Sequence, residues 1–306
     1  MKVLIATEKP FAAVAVDGMR KVIEDAGCEL LLLEKYTDRK ELLEAVAGVD
    51  ALIIRSDKVD AEVLAAAPNL KVVVRAGAGY DNVDLAAATE RGVCVQNTPG
   101  QNSNAVAELV FGLAVMMCRN VYNGTSGSEL KDKTLGIQAF GQVGRNVARI
   151  AGGFGMNISA VDPYCPDEVI AAAGVTPVHS VDELYRNNKV VSIHIPATPE
   201  TRNSIGYELV ASMPKGGLLI NTARKEVIDE DGLIRALDER PDLKYAADVA
   251  PERAAEMKER FGDRVFFTPK KMGAQTSEAN INAGIAAARQ VIAYLTTGEQ
   301  RFRVNK

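Results

Sequence analysis

Tryptophan is absent from the 306-residue chain, and histidine and cysteine are scarce, with two and four copies respectively. The cysteines are scattered without a C-x-x-C spacing, so we expect reduced thiols rather than disulfides or metal ligands. Two histidines are also too few for a histidine-based zinc site. The sequence therefore gives no sign of a metal centre or of a disulfide-stabilised domain.

Long apolar runs and an excess of positive charge are missing as well. The longest apolar stretch, residues 105–118, is interrupted by Glu108 and is shorter than the roughly 20 residues of a membrane helix. The N-terminal residues lack the apolar core and the cleavage site of a signal peptide. The net charge of -4 disfavours nucleic-acid binding, since such proteins usually carry a basic face. We therefore expect a cytoplasmic protein with no membrane or nucleic-acid partner.

What the chain does contain is a regular alternation of short apolar runs and segments of helical periodicity. Runs such as residues 3–5, 52–54 and 72–74 are continuously apolar and rich in β-branched residues, as in parallel strands buried on both faces. A segment rich in glycine, serine and charge at 122–133 interrupts the alternation, which then restarts. The pattern predicts an α/β fold with two Rossmann-like, doubly wound parallel-sheet domains in tandem. In such sheets, ligands bind at the carboxyl ends of the strands.

The clearest motif is AFGQVG at residues 139–144, between a predicted strand and a predicted helix. It meets the dinucleotide-binding pattern G-x-G-x-x-G at Gly141 and Gly144 but has Ala139 in place of the first glycine. Gly141 would let the backbone approach a pyrophosphate, and Gly144 would let the helix pack closely against the sheet. The pyrophosphate would then lie at the helix N-terminus, where free N–H groups favour anions.

Asp162 ends the next predicted strand, 18 residues after Gly144. A carboxylate at this point would accept hydrogen bonds from the adenine ribose. No arginine or lysine follows it in DPYCPDE, so the 2′-phosphate of NADP would meet repulsion. The cofactor expected from these residues is NAD.

Five longer stretches extend this picture over essentially the whole chain: RAGAGYDNVDL, NTPGQNSNAVAELVFGLAVMMCR, SELKDKTLGIQAFGQVGRNVA, VVSIHIPATPETRNSIG and LLINTARKEVIDEDGLIRAL. In this order they resemble the D-2-hydroxyacid dehydrogenase family. Within the family the chain is most similar to short phosphoglycerate dehydrogenases that lack C-terminal regulatory domains. The resemblance implies a substrate-binding domain at 1–98 plus 274–306, to which the last helix returns, and an NAD-binding Rossmann domain at 99–273. It also implies a homodimer.

The reaction that the resemblance implies is the NAD-dependent oxidation of 3-phospho-D-glycerate to 3-phosphohydroxypyruvate, the first step of serine biosynthesis. The partner is then a small phosphorylated hydroxy acid. Arg224 matches the arginine that binds and polarises the substrate in the family. Lys270 takes the place of the usual catalytic histidine, and Glu252 lies one position short of the glutamate that supports it.

A lysine in the histidine's place can act as a base only if its pKa is lowered. Free lysine has a pKa of about 10.4, so a lysine base needs its pKa lowered by roughly two to three units through burial or neighbouring positive charge. A carboxylate beside it would oppose this, which leaves the role of Glu252 open. Whether Lys270 or its neighbour Lys271 acts also stays open.

The phosphate of such a substrate needs cations away from the reacting centre. Arg55 and Arg75 end neighbouring predicted strands and match phosphate-binding positions of phosphoglycerate dehydrogenases, with Lys58 close by in sequence. The alternative is that these arginines pair with surface aspartates such as Asp57, Asp81 or Asp84. The further residues that we assign to the substrate are Gly77, Ala78, Gly79 and Asn102. Those assigned to the cofactor besides Gly141, Gly144 and Asp162 are Gln142, Val143, His194, Pro196, Thr201, Thr222, Ala223 and Asp248.

Two other functions remain open from the sequence. One is a reductase of glyoxylate, hydroxypyruvate or another small 2-keto acid, which would leave the arginines unpaired. The other is a non-enzymatic NAD sensor or corepressor on the same fold, which the missing histidine keeps in consideration.

Overall fold

The computed structural model describes residues 1–306 and divides them into two compact units. The split unit comprises Met1–Asn102 and Thr276–Lys306, and the central unit comprises Ser103–Gln275. The boundaries expected from the sequence, after residues 98 and 273, lie a few residues earlier. None of the helices combines the length and apolar character needed to cross a membrane.

All strands are short, as expected for parallel sheets whose connections are helical. Those of the split unit are β1 Lys2–Thr7, β2 Glu29–Glu34, β3 Ala51–Ile54, β4 Val72–Arg75 and β5 Cys94–Asn97. Those of the central unit are β6 Thr134–Gln138, β7 Asn157–Val161, β8 Thr176–Pro177, β9 Val190–Ile193, β10 Leu218–Asn221, β11 Lys244–Ala247 and β12 Val265–Phe267.

The helices connect successive strands. In chain order they are α1 Ala13–Asp25, α2 Arg39–Val46, α3 Ala61–Ala66, α4 Leu85–Glu90, α5 Ser103–Cys118, α6 Gln142–Gly153, α7 Asp167–Ala172, α8 Val181–Asn187, α9 Tyr207–Ser212, α10 Glu230–Glu239, α11 Ala254–Phe261 and α12 Ser277–Thr297.

Each unit contains one parallel sheet. The strand order is β2-β1-β3-β4-β5 in the split unit and β12-β11-β10-β9-β6-β7-β8 in the central unit. In the split unit the strand order changes direction between the neighbouring strands β1 and β3. In the central unit it changes direction between the neighbouring strands β6 and β9. These are the topological switch points at which doubly wound sheets open a crevice for ligands. The predicted fold class is confirmed.

The returning helix α12 completes the core of the split unit. Its alanine-rich face, which includes Ala283 and Ala287, packs with Met19 and Ile23 of α1. Small residues allow this close approach, and a Cβ atom at Gly284 would lie 3.1 Å from the sulfur of Met19. The backbone N–H of Ala279 donates to the Thr276 hydroxyl at 3.1 Å, which caps the start of the helix.

The central unit buries apolar side chains on both faces of its sheet. On one face the rings of Phe111 and Phe154 stack with centroids 5.0 Å apart. On the other, Tyr245 meets Phe267 edge to face at 5.8 Å. Because both faces are covered, the strand ends are the part of the sheet that stays open to ligands.

Candidate active site

The turn after β6 begins in an uncommon backbone conformation. Ala139 has a φ of +79°, in the left-handed region that costs residues other than glycine about 1–2 kcal/mol. A Cβ atom added at Gly144 would overlap the carbonyl oxygen of Ala139 and lie 3.2 Å from Cγ2 of Ile137. The turn therefore keeps the form of the G-x-G-x-x-G motif, with its third glycine required by packing and its first replaced under strain.

The N-terminus of α6 is open toward a ligand. Gly141 precedes the helix, no side chain caps the first turn, and a Cβ atom added at Gly141 would meet no atom within 4 Å. Gly141 and Gln142 are exposed, and Val143 is partly buried. The free backbone amides and this empty space fit a dinucleotide pyrophosphate.

Asp162, which directly follows β7, is bound to the same turn. One carboxylate oxygen accepts a hydrogen bond from the backbone N–H of Phe140 at 2.7 Å, and the other accepts one from Tyr164 at 2.8 Å. Each oxygen keeps a second lone pair for a ribose hydroxyl. The carboxylate thus joins the ends of β6 and β7 while it remains able to receive an adenosine.

The sequence analysis did not identify Arg145, a cation on the turn to which this carboxylate is bound. Arg145 donates from Nε to the carbonyl of Phe140 at 3.1 Å, and its Nη2 lies 3.7 Å from the Sγ of Cys165. Arg145 precedes Asp162 in sequence, so the search for basic residues after the strand end could not find it. The exclusion of a 2′-phosphate therefore depends on the charge of Asp162 alone.

The turn after β10 presents Arg224. The side chain of Asn221 clamps this turn, since its Oδ1 accepts from the backbone N–H of Ala223 at 2.9 Å and its Nδ2 donates to the carbonyl of Arg224 at 2.8 Å. Nη1 of Arg224 donates to the carbonyl of Ala223 at 2.9 Å. The hydroxyl of Thr222 is buried without a hydrogen-bond partner, which is the kind of orphaned polar atom that a bound cofactor or substrate satisfies.

No carboxylate forms a salt bridge with Arg224. The acidic residues Glu226 and Asp229 of the following segment, which could have paired with it as a purely structural arginine, form no ion pair with it. The partly buried guanidinium therefore retains donors for an anionic ligand.

The segment that carries Lys270 is attached to a buried carboxylate. Asp248 directly follows β11 and is 0% exposed. Its Oδ1 accepts from the backbone N–H of Met272 at 2.7 Å and from the hydroxyl of Thr268 at 3.1 Å, and its Oδ2 accepts from Gly273 N–H at 2.8 Å. Lys270 lies between these anchors, is exposed, and forms no salt bridge.

Glu252 is directed elsewhere. Its carboxylate lies 3.1 Å from Nζ of Lys225 and is 77% exposed, while its backbone N–H donates to Glu230 at 2.8 Å. The structure therefore brings Glu252 together with Lys225 and not with Lys270.

His194 follows β9 and belongs to the central unit's switch point. Its Nε2 lies 2.9 Å from the hydroxyl of Ser192, and burial lowers the pKa of His194 to about 3. The ring is consequently neutral at physiological pH. Next along the chain, the Thr201 hydroxyl donates to the carbonyl of Pro196 at 2.6 Å and closes the intervening loop.

In the split unit, Arg55 and Arg75 follow neighbouring strand ends. The guanidinium of Arg55 donates to the carbonyls of Lys9 and Pro10 at 3.1 and 3.0 Å and to Oδ1 of Asn280 at 2.7 Å. Nε of Arg75 donates to the carbonyl of Arg55 at 2.9 Å. Burial lowers the pKa of both guanidinium groups, and the positive charge of Arg55 lowers that of Arg75 further.

Neither arginine forms a salt bridge, so the alternative pairing with surface aspartates is not formed. Asp57 instead accepts from the Tyr36 hydroxyl at 2.9 Å and from the backbone N–H of Glu8 at 2.7 Å. Lys58 does pair with a carboxylate, Asp60, at 3.6 Å. The structure therefore brings the two arginines together and gives Lys58 a partner of its own.

The glycine turn after β4 makes room for Arg75. Gly77 has a φ of +149°, and a Cβ atom there would overlap Nη1 of Arg75. Gly77 donates its own N–H to the carbonyl of Arg75 at 2.9 Å, whereas the amides of Ala78 and Gly79 have no backbone acceptor. Asn102 ends the first segment of the unit, immediately before α5, and its side chain forms no hydrogen bond.

Asn280 and Asn221 are the positioning residues that sequence reasoning missed. Asn280 lies 225 residues from Arg55 along the chain, and only the expected return of the last helix to the first domain points toward it. Asn221 lies within the matched stretch LLINTARKEVIDEDGLIRAL, but its uncharged amide has no acid–base chemistry that would single it out.

Comparisons with known proteins agree with this geometry. Residues 112–270 match the family described as D-isomer specific 2-hydroxyacid dehydrogenase, NAD binding domain. The chain is 39% identical over 286 residues to a D-3-phosphoglycerate dehydrogenase of Methanocaldococcus jannaschii, covering 89% of this chain and 54% of that one. It is 34% identical over 281 residues to a hydroxypyruvate reductase of Thermotoga maritima, covering 86% and 90%.

Among solved structures, the NAD+-bound 3-phosphoglycerate dehydrogenase of Entamoeba histolytica is similar over 100% of this chain and 99% of that one, with 47% identity and a TM-score of 0.87. The chain spans about half the length of the curated D-3-phosphoglycerate dehydrogenases that it matches, such as those of M. jannaschii and Arabidopsis thaliana.

Replacing Ala139 by glycine should not destabilise the protein. Relief of left-handed strain, about 1–2 kcal/mol, offsets the extra entropy of an unfolded glycine, about 0.4–1 kcal/mol. The free energy of unfolding, measured in urea, should stay equal or rise. The control Ala171→Gly, at an exposed position of α7, should cost about 0.5–1 kcal/mol. Equal losses in both variants would show that residue 139 is not strained.

Substitution of the two motif glycines should have different effects, one on cofactor affinity and the other on stability. Gly141→Ala places a methyl group in empty space, so the fold should persist while NADH affinity falls at least tenfold. Gly144→Ala forces α6 away from β6, so the unfolding midpoint itself should drop. Calorimetry with NADH and urea unfolding separate the two effects. Full NADH affinity in Gly141→Ala would exclude the proposed pyrophosphate position.

Proposed function

Since the chain belongs to the D-isomer-specific 2-hydroxyacid dehydrogenase family, we propose that it oxidises 3-phospho-D-glycerate to 3-phosphohydroxypyruvate, the first step of serine biosynthesis. The central unit is the NAD-binding domain of that family. The observation that carries the choice of substrate is the pair formed by Arg55 and Arg75, two partly buried arginines without a carboxylate partner.

The electrostatics of this pair favour a doubly charged ligand. Two guanidinium groups that are partly removed from water and repel each other are unfavourable until an anion neutralises them. A phosphate monoester carries nearly two negative charges at pH 7 and accepts bidentate hydrogen bonds from arginine. Phe11 lies 5.1 Å from the guanidinium carbon of Arg55 and, together with Asn280, fixes its plane.

Different residues of the central unit have different roles in the oxidation. NAD held by this unit would supply the acceptor for the hydride that leaves C2 of the hydroxy acid. Arg224 binds the substrate carboxylate and polarises the C2 oxygen, on which charge develops as the carbonyl forms. Lys270 accepts the hydroxyl proton, and in the reverse direction its ammonium group donates that proton. The open N-terminus of α6 and Asp162 hold the two ends of the dinucleotide's adenosine diphosphate part.

The similarity to a hydroxypyruvate reductase keeps one alternative, reduction of an unphosphorylated 2-keto acid. Arg224 and Lys270 would serve that reaction equally well. Such a substrate would leave Arg55 and Arg75 without an ion-pair partner, opposed only by the more distant charges of Asp57 and Asp81, so phosphate preference distinguishes the two activities.

The phosphate preference can be measured through NADH absorbance with phosphohydroxypyruvate, hydroxypyruvate and glyoxylate. We expect kcat/KM for the phosphorylated compound to exceed the others at least a hundredfold. Arg75→Ala should remove most of that preference by lowering kcat/KM for the phosphorylated compound alone. Lys58→Ala, whose amine pairs with Asp60, is the matched control and should change it less than threefold. Similar rates on all three substrates in the parent protein would contradict the phosphate site.

Lys270→Met should lower turnover about 10²- to 10⁴-fold, the range for loss of a general acid or base, and leave NADH affinity intact. Lys271→Met is the control and should retain most activity. A large loss in Lys271→Met alone would transfer the role to that residue. Unchanged turnover in both variants would remove lysine from the mechanism.

The pH dependence gives an independent test. Oxidation needs the neutral amine, so its rate should rise toward alkaline pH. We expect no inflection from His194 between pH 6 and 8, because burial lowers its pKa to about 3. A profile governed by an ionisation at about 6.5, that of free imidazole, would contradict the assignment to lysine.

A further inference from the structure

We infer that the central unit binds a small oxyanion such as inorganic phosphate at the amino ends of its strands, in a cavity lined by Lys133, Lys189 and Lys244. This site lies at the edge of the sheet opposite to the one assigned to NAD and substrate. The inference goes beyond the proposed function and does not depend on it.

The three lysines come together because their strands are close in the sheet. Lys133 and Lys189 directly precede β6 and β9, and Lys244 is the first residue of β11. Strands β6, β9, β10 and β11 follow one another in the sheet and run parallel, so their amino ends lie at one edge. Residues that are far apart in the sequence thereby form one cluster.

The cavity between these strand ends has a volume of about 40 Å³. Since a water molecule needs about 10–15 Å³ of such space, the cavity has room for roughly three water molecules or for one small anion. Its lining residues besides the lysines are Cys118, Ser128, Val190, Gly216 and Leu218. Every polar side chain of the lining can donate a hydrogen bond, and none is a carboxylate.

The ammonium groups retain donors that the protein does not use. Each has three N–H groups. Lys244 uses two of them, since its Nζ donates to the carbonyl of Met117 and to Oδ1 of Asn120, both at 2.7 Å. Lys189 donates to one backbone carbonyl, and the ammonium group of Lys133 forms no hydrogen bond or salt bridge. All three lysines can therefore donate to a ligand in the cavity.

The positive charge of this cluster has no salt-bridge partner. The three lysines are partly buried, whereas lysines are mostly exposed unless they are paired. Asp242 accepts from the backbone N–H of Gly216 at 2.6 Å but forms its salt bridge with Arg240, and Asp263 acts on Lys244 only from a longer distance. Burial lowers the pKa of Lys244. An anion in the cavity would offset this desolvation and the mutual repulsion of the ammonium groups.

Attraction to the carbonyls at helix C-termini explains only part of the arrangement. The ammonium group of Lys244 does bind the last turn of α5 through Met117. Lys189 instead binds the carbonyl of Lys215, which lies between α9 and β10, and Lys133 binds no carbonyl through its side chain. An anion accounts for all three lysines at once.

The binding test is calorimetry with inorganic phosphate, with sodium chloride used to hold the ionic strength constant. The Arg75→Ala variant, in which the proposed substrate phosphate site is impaired, should still bind one phosphate per chain. The parent protein should bind a second one at the arginine pair, so failure of that site and failure of this one give different results. No binding to Arg75→Ala would overturn the inference.

Charge removal at the cavity shows where this phosphate binds. In the Arg75→Ala background, Lys133→Met combined with Lys189→Met keeps the apolar stems and should weaken phosphate binding at least tenfold. The matched control is Lys131→Met combined with Lys215→Met, which changes the net charge equally at exposed positions outside the cavity. The control should change the affinity less than twofold. Equal losses in the two double variants would overturn the inference, since they would reflect net charge alone.

Amine labelling of the parent protein covers the case in which the lysine variants do not fold. Phosphate should slow acetylation of Lys133 and Lys189 by acetic anhydride at least threefold, as measured by peptide mass spectrometry, and leave Lys131 and Lys215 unaffected. Equal protection of all four lysines, or of none, would overturn the inference. Protection that follows protein concentration instead of phosphate would do the same, because it would assign the cavity to a contact between chains.

Discussion

The backbone amides at the carboxyl ends of the parallel strands are the constraint on which both units depend. Where a strand ends, its ladder of hydrogen bonds stops and the chain must turn beside a buried sheet, so unpaired amides need partners. Asp162, Asn221 and Asp248 supply those partners at the ends of β7, β10 and β11. Each of these turns presents a residue assigned to the reaction or to the cofactor. The requirement that makes the turns stable also fixes the functional groups in place.

Carboxylates and arginines at these strand ends differ in whether the protein itself supplies their partners. The acidic groups are satisfied within the protein, as Asp57 and Asp248 show by accepting hydrogen bonds from backbone amides and hydroxyls. The cations Arg55, Arg75 and Arg224 bind carbonyls and one amide side chain but no carboxylate. These three arginines are thus left without an ion-pair partner at strand ends where an anionic ligand is expected, although the chain as a whole carries a net charge of -4.

Much of this could be predicted from the sequence, because apolar periodicity and glycine spacing are local signals. They predicted the two parallel sheets and the close packing at Gly144, whereas the return of the last helix was implied by the family resemblance. The short helices α7 and α11 were not predicted, because each offers only one or two buried apolar positions as a signal: Ile170 in α7, and Met257 and Phe261 in α11. The ion-pair partners could not be predicted from the sequence either. Glu252 pairs with Lys225, and Lys58 pairs with Asp60, because loop conformations bring them together. The strain at Ala139 is visible only in the backbone, and the anchoring role of Asp248 depends on a turn that begins 20 residues later.

The return of α12 to the split unit has a consequence for synthesis on the ribosome. The central unit is continuous in sequence, from Ser103 to Gln275, and can reach its folded state as soon as that stretch has emerged. The five strands of the split unit emerge earlier, yet the face of α1 that carries Met19 and Ile23 stays uncovered until Ala283 and Ala287 arrive. The earlier segment of the split unit therefore completes its core only after the central unit has been made, and it exposes apolar surface to chaperones and to aggregation while residues 103–275 are synthesised.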